Sequence, residues 1–455
     1  MNKTITPIQL HIAYIGGGSR NWARTLMNDL ACCPDLGGEI RLYDIDMQSA
    51  RLNEQLGNWI QKQPGVQSFW RYRAVETLVE ALRGADLVFI SIQPGSLEMM
   101  AHEIAVAEKY GLFFPVGDTT GAPGLMRGLR SAIIFAGFAN AIAETCPQAW
   151  VINYTNPMTI CTRTLTRVEP GLKVFGCCHE VFGSQEILAN LAHEYLYLAE
   201  IPNRQEIQVN VLGINHFTWI DRAFYQDHDL LAILRRHIEK PGTLHKFTQK
   251  EVEEQGTWFF DAYQIKFELF KRFGLLPCAG DRHLSEFVPG FIHSPKELFR
   301  WGVIRTPVSW RMEMYQQGSL TAQDYLEGHM LFVPYPSSEE AIQQIKALVG
   351  LGDLFTNVNM ENRGQILNLP LHAVVETNAH FTHDHVQPLA SGLLPPGVHA
   401  LVSRHVANQE MIIEAALTHN KDLAFQAIFN DPTTNLPIDK AWKMFNEIGL
   451  PEGIW

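Results

Sequence analysis

Two short segments carry side chains that could hold a divalent cation. Cys178 stands in the run Cys177-Cys178-His179-Glu180, and His216 closes the run Gly213-Ile214-Asn215-His216. A thiolate and an imidazole both bind first-row metals, and two protein ligands leave positions open for substrate oxygens and water. Each residue also has a plainer reading. A cysteine is often a small buried side chain, and His216 could be a core histidine or the general base of a hydroxy-acid dehydrogenase. Asn153 and Asn156, in Asn153-Tyr154-Thr155-Asn156-Pro157, could simply cap the helix that follows. Arg282 and His283 stand directly after Asp281, and Arg130 lies in a helical stretch. The planar fork of arginine suits a carboxylate, so Arg282, His283 and Arg130 are candidates for holding an anionic substrate. The alternative for Arg282 and His283 is a solvated polar turn.

Residues so far apart in sequence meet only if the fold gathers its loops at one edge. Apolar runs at 11–15, 40–43, 69–72, 87–92, 150–152 and 174–175 predict six strands, with helical spacing at 22–33, 48–61 and 126–144. Continuous apolar strands with helical crossovers predict a Rossmann-type, doubly wound parallel sheet. The carboxyl ends of such strands line one crevice, and the segments at 153–157 and 177–180 follow the fifth and sixth strands. Gly16-Gly17-Gly18-Ser19 follows the first strand and opens a helix. Glycines there let the backbone approach a pyrophosphate, and the helix terminus offers free N–H donors. The spacing departs from G-x-G-x-x-G because Asn21 takes the third position, and a plain tight turn is the alternative. Asp44 ends the second strand where an acid binds a ribose hydroxyl, which favours NAD over NADP. Gln93 lies in the turn after the fourth strand. Residues 1–183 therefore read as an NAD-binding domain. Residues 184–455 read as an α+β domain for substrate, metal and oligomerisation, as in lactate and malate dehydrogenases. Its elements are expected at 185–199, 207–212, 217–224, 338–348 and 399–417.

The 455-residue chain has a net charge of −12 and a pI near 5.8. That argues against a nucleic-acid partner, which needs a basic face. The seven cysteines have no repeated spacing, which fits a reducing compartment. No apolar stretch is seen to approach the roughly 18 residues of a membrane helix, and no signal-peptide core is visible. A cytoplasmic protein without a membrane partner is expected.

The ordered set of the glycine turn, Gly117-Asp118-Thr119-Thr120-Gly121-Ala122-Pro123-Gly124, and the segments 153–157, 176–179 and 213–216 resembles the NAD- and manganese-dependent glycoside hydrolases of family 4. Residues 359–365 and Val375-Glu376 resemble that family's carboxyl-terminal part, so the likeness spans nearly the whole chain. The opening run IAYIGGGSRNWARTLMNDL and Gly280-Asp281-Arg282-His283 resemble its α-galacturonidase branch. The resemblance implies that Cys178 and His216 bind Mn²⁺ and that Asn153 and Asn156 contact the sugar. It implies that His179 helps protonate the leaving oxygen. It also implies a catalytic base, Asp281, with Tyr263 as the fallback; a surface ion pair with Arg282 is the plainer role for Asp281. The implied reaction is oxidation at C3 by NAD⁺, loss of the C2 proton, elimination at C1, addition of water and re-reduction. The substrate would be a uronide, an α-galacturonide first, and the enzyme a homodimer or homotetramer. Alternatives are another specificity in the family (α-glucuronide, α-galactoside, α-glucoside or a 6-phospho-glycoside), a 2-hydroxy-acid dehydrogenase, or a nucleotide sensor without turnover.

Overall fold

The computed structural model describes residues 6–255 and 258–451; residues 1–5 of the expected first domain lie outside these. The first half forms β1 (Ile8–Ile15), β2 (Leu36–Tyr43), β3 (Phe69–Ala74), β4 (Leu87–Ile90), β5 (Trp150–Asn153) and β6 (Lys173–Gly176). They are parallel neighbours in the order β3-β2-β1-β4-β5-β6, the dinucleotide-binding arrangement. Side chains of β1 alternate between two cores. Ile12 and Tyr14 pack with Leu26, Leu30 and Leu56 on one face, whereas Ala13 and Ile15 pack with Phe135, Ile142 and Leu165 on the other. The continuous apolar run at 12–15 is what burial on both faces demands.

The second half contributes β7 (Gln208–Ile214), β8 (Phe217–Tyr225), β9 (His228–Asp229), β10 (Leu276–Pro277), β11 (Leu354–Glu361), β12 (Val374–Thr382) and β13 (His385–Pro388). These strands extend the same sheet. β6 pairs antiparallel with β11, and the order continues β12-β7-β8-β10, with β13 on β12 and β9 on β8. The helix Glu180–Leu196 spans the expected boundary at residue 183.

The helix expected from residue 126 starts earlier, at Gly121, and runs to Thr145. Gly121, Pro123 and Gly124 form its first turn, where a proline's missing N–H is harmless. A Cβ on Gly124 would lie 2.6 Å from the Thr119 carbonyl carbon. By length and composition this helix is apolar enough to cross a membrane, contrary to the sequence expectation; here it lies in the core, packed against the helices Met158–Val168 and Pro396–Thr418.

A long polar helix, Val308–Leu326, was not expected, and only Ala322 on it is buried. It crosses the amino-terminal half beside the glycine turn. Arg20 donates to Ser319 Oγ at 2.6 Å and its guanidinium lies 3.3 Å from the Tyr315 ring centre, while Arg24 donates to the Gly318 carbonyl.

Candidate active site

The glycine turn follows β1, and Ser19 N–H closes it on the Gly16 carbonyl at 2.9 Å. A Cβ on Gly17 would lie 2.6 Å from Leu42 Cβ, and one on Gly18 would lie 2.9 Å from Asp44 Oδ2. The next helix, Trp22–Ala31, has no side-chain cap at Asn21, so its first N–H groups are free for an anion. Asp44 accepts from Gly18 N–H and Asp46 N–H at 2.8 and 2.9 Å. Gln93 accepts from Arg127 at 3.2 Å. Gly16, Gly17, Gly18, Ser19, Asp44 and Gln93 thus border one edge, and this edge fits a dinucleotide.

Beyond it a cavity of about 280 Å³ is lined by residues of both halves, among them Asn156, Cys178, His179, His216, Arg282 and His283. Cys178 follows β6. His216 occupies the two-residue turn between β7 and β8, where Ile214 pairs with Phe217, and its φ of +60° is left-handed. Strain of that kind at a non-glycine residue marks a position held by its surroundings. Its Nδ1 lies 3.1 Å from Thr119 Oγ1. Asp118, His216 and His283 offer ligand atoms all within 4.8 Å of one another, and the His216 and His283 rings are 3.9 Å apart. Both amide atoms of Asn215 and Nδ1 of His283 are buried without partners. Mixed nitrogen and oxygen donors with orphaned polar atoms beside a thiol fit a divalent cation. Burial pushes the Cys178 thiol up, as do the charges of Glu376 and Glu180; burial holds the His216 imidazole below its usual value.

His179 is half-exposed to the cavity, stacks on Trp22 and pairs with Glu339 at 3.0 Å. The Glu339 hydrogen bond raises its affinity for a proton, against burial. Asn156 lines the cavity with its Oδ1 buried and unpartnered.

Three expected site residues do other work. Asn153 is fully buried; its amide donates to Thr155 O and Thr162 Oγ1 and accepts from Thr155 N–H, which holds the loop after β5. Arg130 is spent on a buried ion pair with Glu103. Asp281 is 1% exposed, and its oxygens accept from Gln264 N–H and Lys266 N–H at 2.6 and 2.8 Å. That is the geometry of a carboxylate fixing the start of the helix Gln264–Phe273. Asp261, unlike Asp281, lines the cavity, as Glu180 also does; Asp261 accepts from Tyr263 N–H at 2.9 Å and Asp281 N–H at 3.2 Å. Burial raises the proton affinity of both acids, and for Asp281 the Asp261 charge adds to it. Tyr263 borders an adjoining cavity with Lys266 and has a φ of +53°.

Sequence reasoning also missed Asp118, Glu180 and Arg311. Burial works against ionisation of Asp118, but His283, Arg311 and Arg127 outweigh it and hold this carboxyl far below its usual range. Glu180 likewise stays ionised despite burial, with its pKa lowered to about 2 by His283 and His216. It accepts from Gly280 N–H at 2.9 Å. In the sequence Asp118 stands only as one residue of the segment 117–124, with no role assigned to it.

The profile of the family 4 glycosyl hydrolases matches residues 11–194, and that of their C-terminal domain matches residues 211–434. An α-galacturonidase of Thermoanaerobacter italicus is 46% identical over 446 residues, covering 96% of this chain and 95% of that protein. A crystal structure described as a glucosidase from Bacillus subtilis superposes with a TM-score of 0.90 at 45% identity, over 97% of this chain and 99% of that one. A 6-phospho-α-glucosidase from gut microorganisms, solved with NAD and Mn²⁺, shares the fold with a TM-score of 0.80 at 19% identity, over 98% and 99% of the two chains. With both halves of the chain matched and the dinucleotide edge joined to the Cys178–His216 cavity, the chain belongs to family 4 of the glycosyl hydrolases.

Proposed function

We propose that this enzyme hydrolyses α-galacturonides with the help of bound NAD⁺ and Mn²⁺. The observation that carries the substrate is its near full-length identity with an α-galacturonidase; the Arg282 and His283 side chains on the cavity wall support it. The solved relative with both cofactors supports their use here.

Gly16–Ser19 and the free first turn of Trp22–Ala31 take the NAD pyrophosphate, and Asp44 the ribose. His216 and Cys178 hold the metal, with Asp118 and His283 beside His216. When bound, NAD⁺ supplies a reversible hydride acceptor and Mn²⁺ a Lewis acid for sugar oxygens. Asn156 orients the sugar through its unpartnered amide oxygen. Asp261, rather than Asp281, accepts the C2 proton, because its carboxylate faces the cavity. Asp281 positions it by fixing the adjacent helix start. His179, whose affinity for a proton Glu339 raises, donates a proton to the leaving oxygen. Such acid–base steps typically contribute 10²–10⁴-fold each.

The test is an assay of aryl α-galacturonide, α-glucuronide, α-galactoside and 6-phospho-α-glucoside with NAD⁺, Mn²⁺ and a reductant. Cleavage of α-galacturonide above the others is expected; cleavage of the phosphorylated sugar alone would refute the assignment. We also propose a homodimer or homotetramer, supported by the exposed apolar Leu331 and Val333. Light scattering should give a multiple of 51.5 kDa, and a monomeric mass would contradict it.

A further inference from the structure

Three arginines, Arg127, Arg282 and Arg311, lie within electrostatic reach of Asp118, and Arg282 among them lines the cavity. Arg127, on the helix Gly121–Thr145, is 6% exposed and donates to Asn156 O at 2.9 Å and to Gln93 Oε1. Arg282 donates to Trp258 O at 2.7 Å, and its guanidinium lies 4.7 Å from the Phe259 ring centre. Arg311 stands in the first turn of Val308–Leu326. The Nε atoms of Arg282 and Arg311 are both buried and unpartnered. Among the described residues none of the three joins an ion pair.

Their charges act on one another: burial and then Arg311 weaken the hold of Arg282 on its proton. Asp118 and Glu180 are the ionised carboxylates that offset them, whereas burial pushes the neighbouring Glu286 up to about 8, so it is neutral near pH 7. Three guanidinium groups against two carboxylates still leave excess positive charge. Unpaired charge taken out of water is strongly unfavourable, so the cluster is complete only with an anion from outside. Arg282 borders the cavity that holds Cys178 and His216, so that anion lies at the sugar end. The two unpartnered Nε atoms suit the paired oxygens of a planar carboxylate.

We propose that Arg311 is a specificity-determining residue, gripping with Arg282 the carboxylate at C6 of the uronide. This rests on the uronide reading above. It also gives the long polar helix a function. Thr306 N–H, just before that helix, donates to Pro115 O at 3.1 Å, beside the Asp118 loop. Gly318 and Ser319, two turns after Arg311, bind Arg24 and Arg20 next to the glycine turn. One helix thereby joins the carboxylate end of the substrate to the wall of the nucleotide crevice.

The experiment compares the parent enzyme with R311M and R311K on aryl α-galacturonide and on the neutral aryl α-galactoside, together with NAD⁺ affinity by calorimetry and melting temperature. Loss of a charge-assisted pair should raise KM for the galacturonide about 10- to 100-fold in R311M. R311K, with charge but no fork, should fall between. KM for the galactoside, NAD⁺ affinity and melting temperature should hardly change. An unchanged galacturonide KM in R311M overturns the proposal while leaving the uronide reading intact. So does a loss confined to NAD⁺ affinity, which would assign the anion to the cofactor's pyrophosphate. An equal loss on both sugars with a lowered melting temperature, also in R311K, would make Arg311 structural and overturn it. Failure of the parent on galacturonides would instead defeat the uronide reading itself.

Discussion

At the scale of single residues, the site separates groups that face the substrate from groups that hold the frame. Cys178 borders the cavity, and its thiol is kept protonated by burial and nearby carboxylates. A divalent cation reverses that balance, because only the thiolate ligates. Cys178→Ser should therefore weaken Mn²⁺ binding at least about tenfold and leave NAD⁺ affinity unchanged, measured by Mn²⁺ electron paramagnetic resonance and calorimetry. Equal loss of NAD⁺ affinity would misplace the residue. The two aspartates divide in the same way. Asp261→Asn should cut kcat by about 10²–10⁴-fold with little effect on folding. Asp281→Asn should instead lower the melting temperature, since its oxygens bind two backbone N–H groups. The reverse pattern would return the role of base to Asp281.

At the scale of elements, the loop carrying Asp118 is positioned by the helix Asp281–Phe287. Glu286 on that helix accepts from Val116 N–H at 2.6 Å and Gly117 N–H at 2.9 Å. Its carboxyl is raised by burial from 4.5 to about 8. Between those values the folded state binds more protons than the unfolded chain, so stability falls as pH rises through that window. Glu286→Gln keeps the acceptor oxygen and removes the titration; its melting temperature should fall less than the parent's between pH 5 and 8. Parallel curves for the two proteins would show that Glu286 does not titrate there. The elements differed in how plainly the sequence announced them. β1, β4 and β5 stand out because both faces are buried and nearly every residue is apolar. β11 and β12 were hidden by Asn357, Asn359 and Glu376, polar residues buried in strands beside the site, where Glu376 accepts from Asn357 at 2.6 Å and Thr218 at 2.7 Å. The helix Val308–Leu326 was hidden for the opposite reason. With one buried residue it has no apolar stripe to read. Sequence order alone does not show that Asp261, rather than Asp281, lines the cavity.

At the scale of the molecule, one 13-stranded sheet carries both the glycine turn after β1 and the His216 turn between β7 and β8. Cofactor edge and metal edge therefore share one hydrogen-bonded frame. Trp22 lines the cavity, and Arg20 and Arg24 tie the long polar helix to the glycine-turn side of that frame. In the proposed reaction NAD⁺ is a recycled catalyst of bond cleavage rather than a consumed oxidant. The most direct test is turnover of an aryl α-galacturonide in D₂O with NADH absorbance followed throughout. The account predicts galacturonate carrying deuterium at C2, with no net NADH. Product without deuterium at C2, or NADH accumulating in step with product, would contradict it.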